Sequence, residues 1–371
     1  MLHAGDKKLK KRIKKVFKEL NEKIDIIILK NSTEPFIDNN FFYVTDLQKG
    51  LFERSVAVLY PDGNLDLIVS KLEGETASKI DANIKIYEKY EDYNNLLKSS
   101  VKSVKNIGLN FQGILHKDFS ELKDLFPKNN FFDVSEAFIK SRAVKDEAEI
   151  KKIRKACRIV DKTMTEIPDF LHEGMFEYEL AAEIDYMMQR NGADKTAFET
   201  ISSFGKNTAE PHYSHGDTKL KKGDFVLCDF GACFRRYNSD TTRTFVFGKA
   251  SDKQRDIYQT VLKAQQVGIN KIKAGVKAFM VHDEVSSYID NTKFKGCFIH
   301  STGHSLGLSV HDGGAGFTPD SDAILQENMV LTVEPGVYIP GFGGVRIEDD
   351  ILVKRDGVEV LTHSSKDFLE I

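Results

Sequence analysis

Apolar residues fall at helical spacing almost from the start of the chain. Leu9, Ile13, Val16, Phe17 and Leu20 form one stripe along the basic run Lys7–Lys18. This predicts an amphipathic helix whose lysine-rich face is solvated. The compact run IDIIILK (Ile24–Lys30) then has the character of a strand. VAVLY and LDLIVS predict two more strands, joined by PDGN (Pro61–Asn64), where Pro and Gly favour a turn. Further on, the pattern predicts a helix near Asn94–Val104, a strand at NIGLN, a helix near Lys117–Phe126 and a strand at Phe131–Val134. That order predicts a small α/β domain with a mixed sheet over residues 1–140. No group of His, Cys or carboxylates gathers there.

The pattern changes at SRAVKDEAEIKKIRKAC. A long helix is predicted from near Lys145, its acidic residues early and its lysines later, as the helix macrodipole favours. The rest of the chain reads as helix, helix, strands, helix, helix, then several strands. Helices followed by grouped strands, without regular βαβ alternation, predict an α+β domain with an antiparallel sheet over residues 145–371.

The length of 371 residues suits two such domains, and 41% hydrophobic with 29% charged residues is ordinary for a soluble globular protein. A net charge of −3 gives no general pull toward nucleic acid or an anionic membrane. No apolar run approaches the ~20 residues that span a bilayer. The basic N-terminus lacks the apolar core of a secretory signal, so a cytoplasmic protein is expected. Cys157, Cys228, Cys233 and Cys297 suggest no disulfide framework, and packing thiols are expected at CDFGAC.

The candidate chemistry lies in the second part. VLCDFG ends a strand with Asp229, and a polar turn leads to SDTTRTFVFG, where a strand begins with Asp240. As consecutive strands of a hairpin these would bring the two carboxylates close. His304 lies in HSTGHSLGLSVHD (His300–Asp312), which crowds three of the ten histidines among small residues. Glu334 sits in MVLTVEPGVYI and Glu348 in GVRIEDDILV. Each has an ordinary structural reading, as a solvated turn carboxylate or a hydrogen-bonded core histidine. Buried together, four carboxylates and one imidazole would need cations, because mutual repulsion and lost hydration would otherwise be prohibitive. Two divalent ions about 3.5–4 Å apart, bridged by one or two carboxylates, meet that need. Spacing along the chain does not by itself bring the five together.

In this order and context Asp229, Asp240, His304, Glu334 and Glu348 resemble the metal-ligand set of the pita-bread metallopeptidases. That family includes methionine aminopeptidase, aminopeptidase P and prolidase. The segments DFG…SDTTRTF, TGHSLGL…H, LTVEPGVY and GGVRIEDD carry the resemblance, which runs from about Lys145 to the C-terminus. KDEAEIKKIRKA is similar to the opening helix of the Xaa-Pro members. Residues 1–140 resemble, in size and strand order, the creatinase-type domain that methionine aminopeptidases usually lack.

The resemblance implies a pita-bread fold behind a smaller α/β domain. It implies metal-dependent hydrolysis of Xaa-Pro bonds by a metal-bridged hydroxide, as an Xaa-Pro dipeptidase (prolidase) or an Xaa-Pro aminopeptidase. Asp229 would hold one metal through both oxygens, His304 and Glu334 the other, and Asp240 and Glu348 would bridge them. Oxygen-rich coordination suits manganese, and the resemblance implies manganese or cobalt, with zinc competing. His311 and His212 match histidines that act on the substrate, and Glu334 would pass a proton to the leaving nitrogen. Phe198, His212, His300, Val310 and Arg346 match the pocket for the proline ring, although Arg346 also has a plain reading as a structural ion pair. The implied partners are short peptides with proline second, and a second copy of the chain, since two-domain relatives are commonly dimers.

Three departures stand out: Ser305 replaces a glycine of the usual GHGIG, HDGG replaces HE followed by proline, and Phe204 takes a place usually held by a small residue. None removes a ligand or His311. The competing class is a catalytically inactive pita-bread binding module. Such relatives have typically lost metal ligands, and all five are present here.

Overall fold

The structure, a computed structural model, describes residues 4–371, with side chains from residue 8 onward. The chain divides into two compact units, Met1–Arg142 and Ala143–Ile371.

The first unit is built on one six-stranded sheet. In chain order its strands are β1 (Ile26–Lys30), β2 (Val56–Leu59), β3 (Leu65–Ser70), β4 (Asn83–Tyr87), β5 (Asn106–Leu109) and β6 (Asn130–Asp133). They lie in the order β4-β3-β2-β1-β5-β6. The pairs β1–β5, β5–β6 and β3–β4 are parallel and the other two antiparallel, so the sheet is mixed. Around it lie α1 (Ala4–Lys18), α2 (Asn39–Thr45), α3 (Gly74–Ala77), α4 (Tyr90–Ser100), α5 (His116–Leu125) and α6 (Ser135–Ala143). Leu9, Ile13 and Val16 of the basic helix are buried, as an amphipathic helix requires. Four elements, α2, α3, β4 and α6, were not predicted. In α2 every residue after the first is buried, so no polar face marks a period. β4 is short and mostly exposed, α3 is a single turn, and α6 has no marked apolar face.

The second unit opens with α7 (Glu147–Glu166). Its N-cap Asp146 accepts from the backbone N–H groups of Ala148 and Glu149, and Glu149 reaches back to the N–H of Asp146. This capping box sets where the helix begins. After α8 (Glu177–Arg190) come the short β7 (Lys195–Thr196) and β8 (Ile201–Phe204), then β9 (Phe225–Phe230), β10 (Ala232–Phe234), β11 (Tyr237–Asn238) and β12 (Thr241–Val246). Helices α9 (Asp252–Lys271) and α10 (Phe279–Asp290) follow. The unit ends with β13 (Gly303–His304), β14 (Gly316–Phe317), β15 (Val330–Val333), β16 (Gly336–Ile339), β17 (Gly343–Arg346), β18 (Asp349–Lys354) and β19 (Gly357–Val360). Every pair among these named strands is antiparallel.

Alternation in β9 decides which way its carboxylate faces. Val226, Cys228 and Phe230 lie in one core with Leu180, Ile184 and Met188 of α8. Phe225 packs into a different core with Ile257 and Val261 of α9. A strand turns successive side chains to opposite faces, so Asp229 lies on the face away from the α8 core. All four cysteines are free thiols, and three are buried.

Candidate metal centre and its cavity

Three pairs of strands bring the five candidate ligands together. In the β9–β12 ladder Asp229 stands opposite Thr242, and Asp240 ends two residues before it. The expected simple hairpin is not what joins them. The intervening residues form a second, smaller hairpin, β10–β11, whose tip Arg235 and Arg236 both have positive φ. In the β15–β18 ladder Val333 opposes Asp349, so Glu334 and Glu348 sit one residue beyond the same end. Glu348 is tied to β12 twice: its N–H donates to the Thr242 carbonyl at 3.1 Å, and Oε2 accepts from the Thr242 hydroxyl at 2.6 Å. His304 comes from β13, whose Gly303 lies so close to β15 that a Cβ would meet the Thr332 carbonyl oxygen at 2.0 Å.

The imidazole of His304 is oriented by its own chain. Nδ1 lies 3.3 Å from the Ser305 carbonyl oxygen, which only accepts, so Nδ1 carries the hydrogen. Nε2 is left with its lone pair, 3.6 Å from Asp240 Oδ2 and 3.5 Å from Glu334 Oε1. Asp240, His304 and Glu348 offer ligand atoms within 4.8 Å of one another. Asp229 Oδ1, Asp240 Oδ1 and Glu348 Oε1 are buried with no hydrogen-bond partner among the described residues.

Unpaired carboxylate oxygens in a buried cluster disfavour their own ionisation. Burial, with Glu348 and Asp229 adding, pushes the Asp240 carboxyl well above its usual range. Burial does the same to Glu348, helped by Glu334 and Asp229. Glu334 is pushed up to about 7, again chiefly by burial, with Arg346 opposing. Burial lowers His304 and favours the neutral ring that binds a metal. Hard oxygen donors, one neutral imidazole nitrogen and orphaned anionic oxygens fit divalent cations.

The cluster lines a cavity of about 410 Å³. Its wall contains every residue expected there: Phe198, His212, His300, Val310, His311 and Arg346. Ile201, Pro211 and Ser301 also line it and carried no sequence signal. His311 stacks loosely on His304, with ring centroids 4.1 Å apart. His300 lines the cavity with both nitrogens already engaged: Nδ1 donates to the Ser301 carbonyl and Nε2 accepts from the Tyr338 hydroxyl, each at 2.8 Å. Its pKa drops to about 4, through burial and the nearby Arg346. Arg346 is buried and heavily committed. It donates to Asp229 Oδ2, to Tyr338 at 2.9 Å, to Thr242 at 3.1 Å and to the Pro211 carbonyl at 3.3 Å. One oxygen of Asp229 is thus on Arg346 and the other is unpartnered. His215 is half-buried with Nδ1 3.1 Å from the Thr200 carbonyl oxygen.

Glu177 escaped the sequence reading, because a glutamate in the first turn of a helix looks like an ordinary dipole match. It is fully buried. Its carboxylate accepts from Phe204 N, Asn207 Nδ2, Tyr213 Oη and Gly216 N, all between 2.8 and 3.1 Å. It gathers the loop that carries Pro211 and His212. Glu177→Gln turns an all-accepting group into one that opposes those donors. A stability loss of about 2 kcal/mol is expected in thermal melts, together with a raised KM as the loop loosens.

A buried cage of carboxylates and one imidazole, opening on a partly apolar cavity in an antiparallel framework, defines a metal-dependent hydrolase. The family model described as Metallopeptidase family M24 matches residues 151–355, and that of the Creatinase/Prolidase N-terminal domain matches residues 12–144. The chain belongs to metallopeptidase family M24, with the pita-bread fold and the divalent metal binding that go with it. It is 35% identical over 356 residues to the Xaa-Pro dipeptidase of Pyrococcus horikoshii, covering 94% of this chain and 99% of that one. The solved Xaa-Pro dipeptidase of Bacillus anthracis superposes with a TM-score of 0.90 at 32% identity, over 99% of this chain and 100% of that one. The X-Pro aminopeptidase of Thermotoga maritima superposes with a TM-score of 0.89 at 30% identity, over 94% of this chain and 98% of that one.

Proposed function

We propose that this protein is an Xaa-Pro dipeptidase that uses two divalent ions, manganese or cobalt, held by Asp229, Asp240, His304, Glu334 and Glu348. The observation carrying this reading is the pair of buried, unpartnered oxygens of Asp240 and Glu348 grouped with one oriented imidazole, with a third on Asp229 lining the same cavity. Dipeptidases among its relatives support the substrate class.

The bound ions would lower the pKa of a shared water toward neutrality and polarise the scissile carbonyl. The residues of the chain supply the rest. His311 Nε2–H or Nδ1–H donates to the carbonyl oxygen as negative charge builds there, a contribution of about 10²–10³ in rate for one donor. Glu334 Oε1 accepts from the Thr332 hydroxyl at 3.1 Å. Its Oε2 has no hydrogen bond among the described residues and takes the attacking water's proton, then returns it to the leaving nitrogen. The Xaa-Pro amide has no N–H to satisfy, and its fixed ring packs on Phe198, Ile201 and Val310. His212 closes the edge of this pocket.

Ala-Pro is expected to be cleaved at least about tenfold faster than Ala-Ala, measured as kcat/KM. Equal rates would refute proline selectivity. An aminopeptidase acting on longer peptides is the second reading, favoured by the likeness to the Thermotoga maritima enzyme. Ala-Pro-Pro assayed beside Ala-Pro separates the two: a dipeptidase leaves the tripeptide intact.

A further inference from the structure

Lys145 and Asp312 form an ion pair shut away from water. The Lys145 side chain is fully buried and that of Asp312 nearly so, with Nζ 3.3 Å from Oδ2. The reaction described above uses neither residue. Yet Asp312 directly follows His311, and the segment between Ser305 and Asp312 folds around its carboxylate. Ser309 N donates to Oδ1 at 3.0 Å, Asp312 N donates to the Ser305 carbonyl at 2.9 Å, and Gly307 N donates to the Ser309 carbonyl at 3.0 Å. Gly307 has to be glycine for this wrap, since a Cβ would lie 2.5 Å from Asp312 Oδ2 and 3.2 Å from Lys145 Cε.

Lys145 is itself fixed. Its N–H donates to the Asn328 carbonyl at 2.9 Å and its Nζ to the Ala143 carbonyl at 3.4 Å. On the other side the Gly307 carbonyl accepts from Asn238 N at 2.9 Å. His311 differs from all of these. It is exposed, and its ring makes no hydrogen bond among the described residues. Where that ring sits is decided by its packing against His304, 4.1 Å away between centroids, and by its backbone, whose next residue is the buried Asp312.

We propose that the Lys145–Asp312 pair is a positioning device for His311, holding the imidazole where its N–H meets the developing oxyanion. This rests on the reading of His311 as that donor. A donor displaced by an ångström loses much of its effect on the transition state. A charge pair in a dry interior restrains position more firmly than a neutral contact would.

The test uses the full-length protein loaded with manganese. Lys145→Met and the doubly neutral Lys145→Met/Asp312→Asn, which buries no unpaired charge, are each prepared with and without His311→Ala. kcat and KM for Ala-Pro, melting temperature and metal content are measured for all. In the metal-free protein the His311 ring signals, identified by their loss in His311→Ala, are followed by NMR. Both pair variants are expected to stay folded, keep their metal and lose about tenfold in kcat. KM should move by less than about twofold. With His311 already alanine, neither should lose anything more, and the single sharp set of His311 signals in the wild type should broaden or split. The proposal falls if kcat drops equally in the His311→Ala background, if kcat stays within about twofold of wild type, or if both variants simply unfold. Failure of wild type to cleave Ala-Pro would instead sink the dipeptidase reading, and the NMR comparison would still decide the positioning role.

Discussion

Asp240→Asn is expected to cut kcat/KM for Ala-Pro by at least about 10³ while leaving the fold intact. The side chain is buried beside His304 and Glu348, and in the proposed centre its charge would help to hold the cations. An amide keeps the shape but loses the negative charge and one acceptor. The backbone at this position is held separately, by donation from Asp240 N to Asp350 Oδ2 at 2.9 Å, so the strand should not shift. The metal-free variant carries a further expectation of opposite sign. Removing one of several crowded carboxylates relieves repulsion, so metal-free Asp240→Asn should melt higher than metal-free wild type. Activity assays paired with calorimetry on stripped protein check both halves. Near-normal turnover by the variant would remove Asp240 from the metal centre.

Chelation should have the second large effect. Stripping the metals from wild type is expected to abolish hydrolysis and to lower the melting temperature by roughly 4 °C for each site emptied. The size follows from linkage: a site with free metal at one hundred times its Kd stabilises the fold by about 2.7 kcal/mol. The orphaned oxygens of Asp229, Asp240 and Glu348 make the stripped state a poor one. Manganese added back should restore both properties. A chelated protein that keeps its turnover and its melting temperature would rule out the metal mechanism.

The resemblance of several motifs to one family made much of this site legible. Residue type alone left each ligand an ordinary structural reading, although the apolar strands around Asp229 and Glu334 favoured burial. The close packing of Gly303 against Thr332, and of Gly307 against Asp312, has no local mark beyond the small residues around His304. What stayed hidden depends on contacts across the chain. The β10–β11 hairpin between Asp229 and Asp240 has no glycine at its tip, where Arg235 and Arg236 take left-handed conformations, so the usual turn signal is missing. An ion pair for Arg346 was one reading, but its partner Asp229 lies far away in sequence, and nothing local marks Tyr338 of the facing strand as its second partner. In the first unit, α2 was hidden by being buried all round, which erases the helical period.

The register of β9 against β12 has an evolutionary consequence. Neighbouring strands lie about 4.8 Å apart whatever their sequence, so backbone hydrogen bonding supplies the gauge between the Asp229 and Asp240 supports. Residues can be added to or removed from the Arg235–Arg236 tip without disturbing that gauge. A single-residue slip within Thr241–Val246 would turn every later side chain to the opposite face. Length variation among descendants of this chain should therefore collect at the tip and spare the strand.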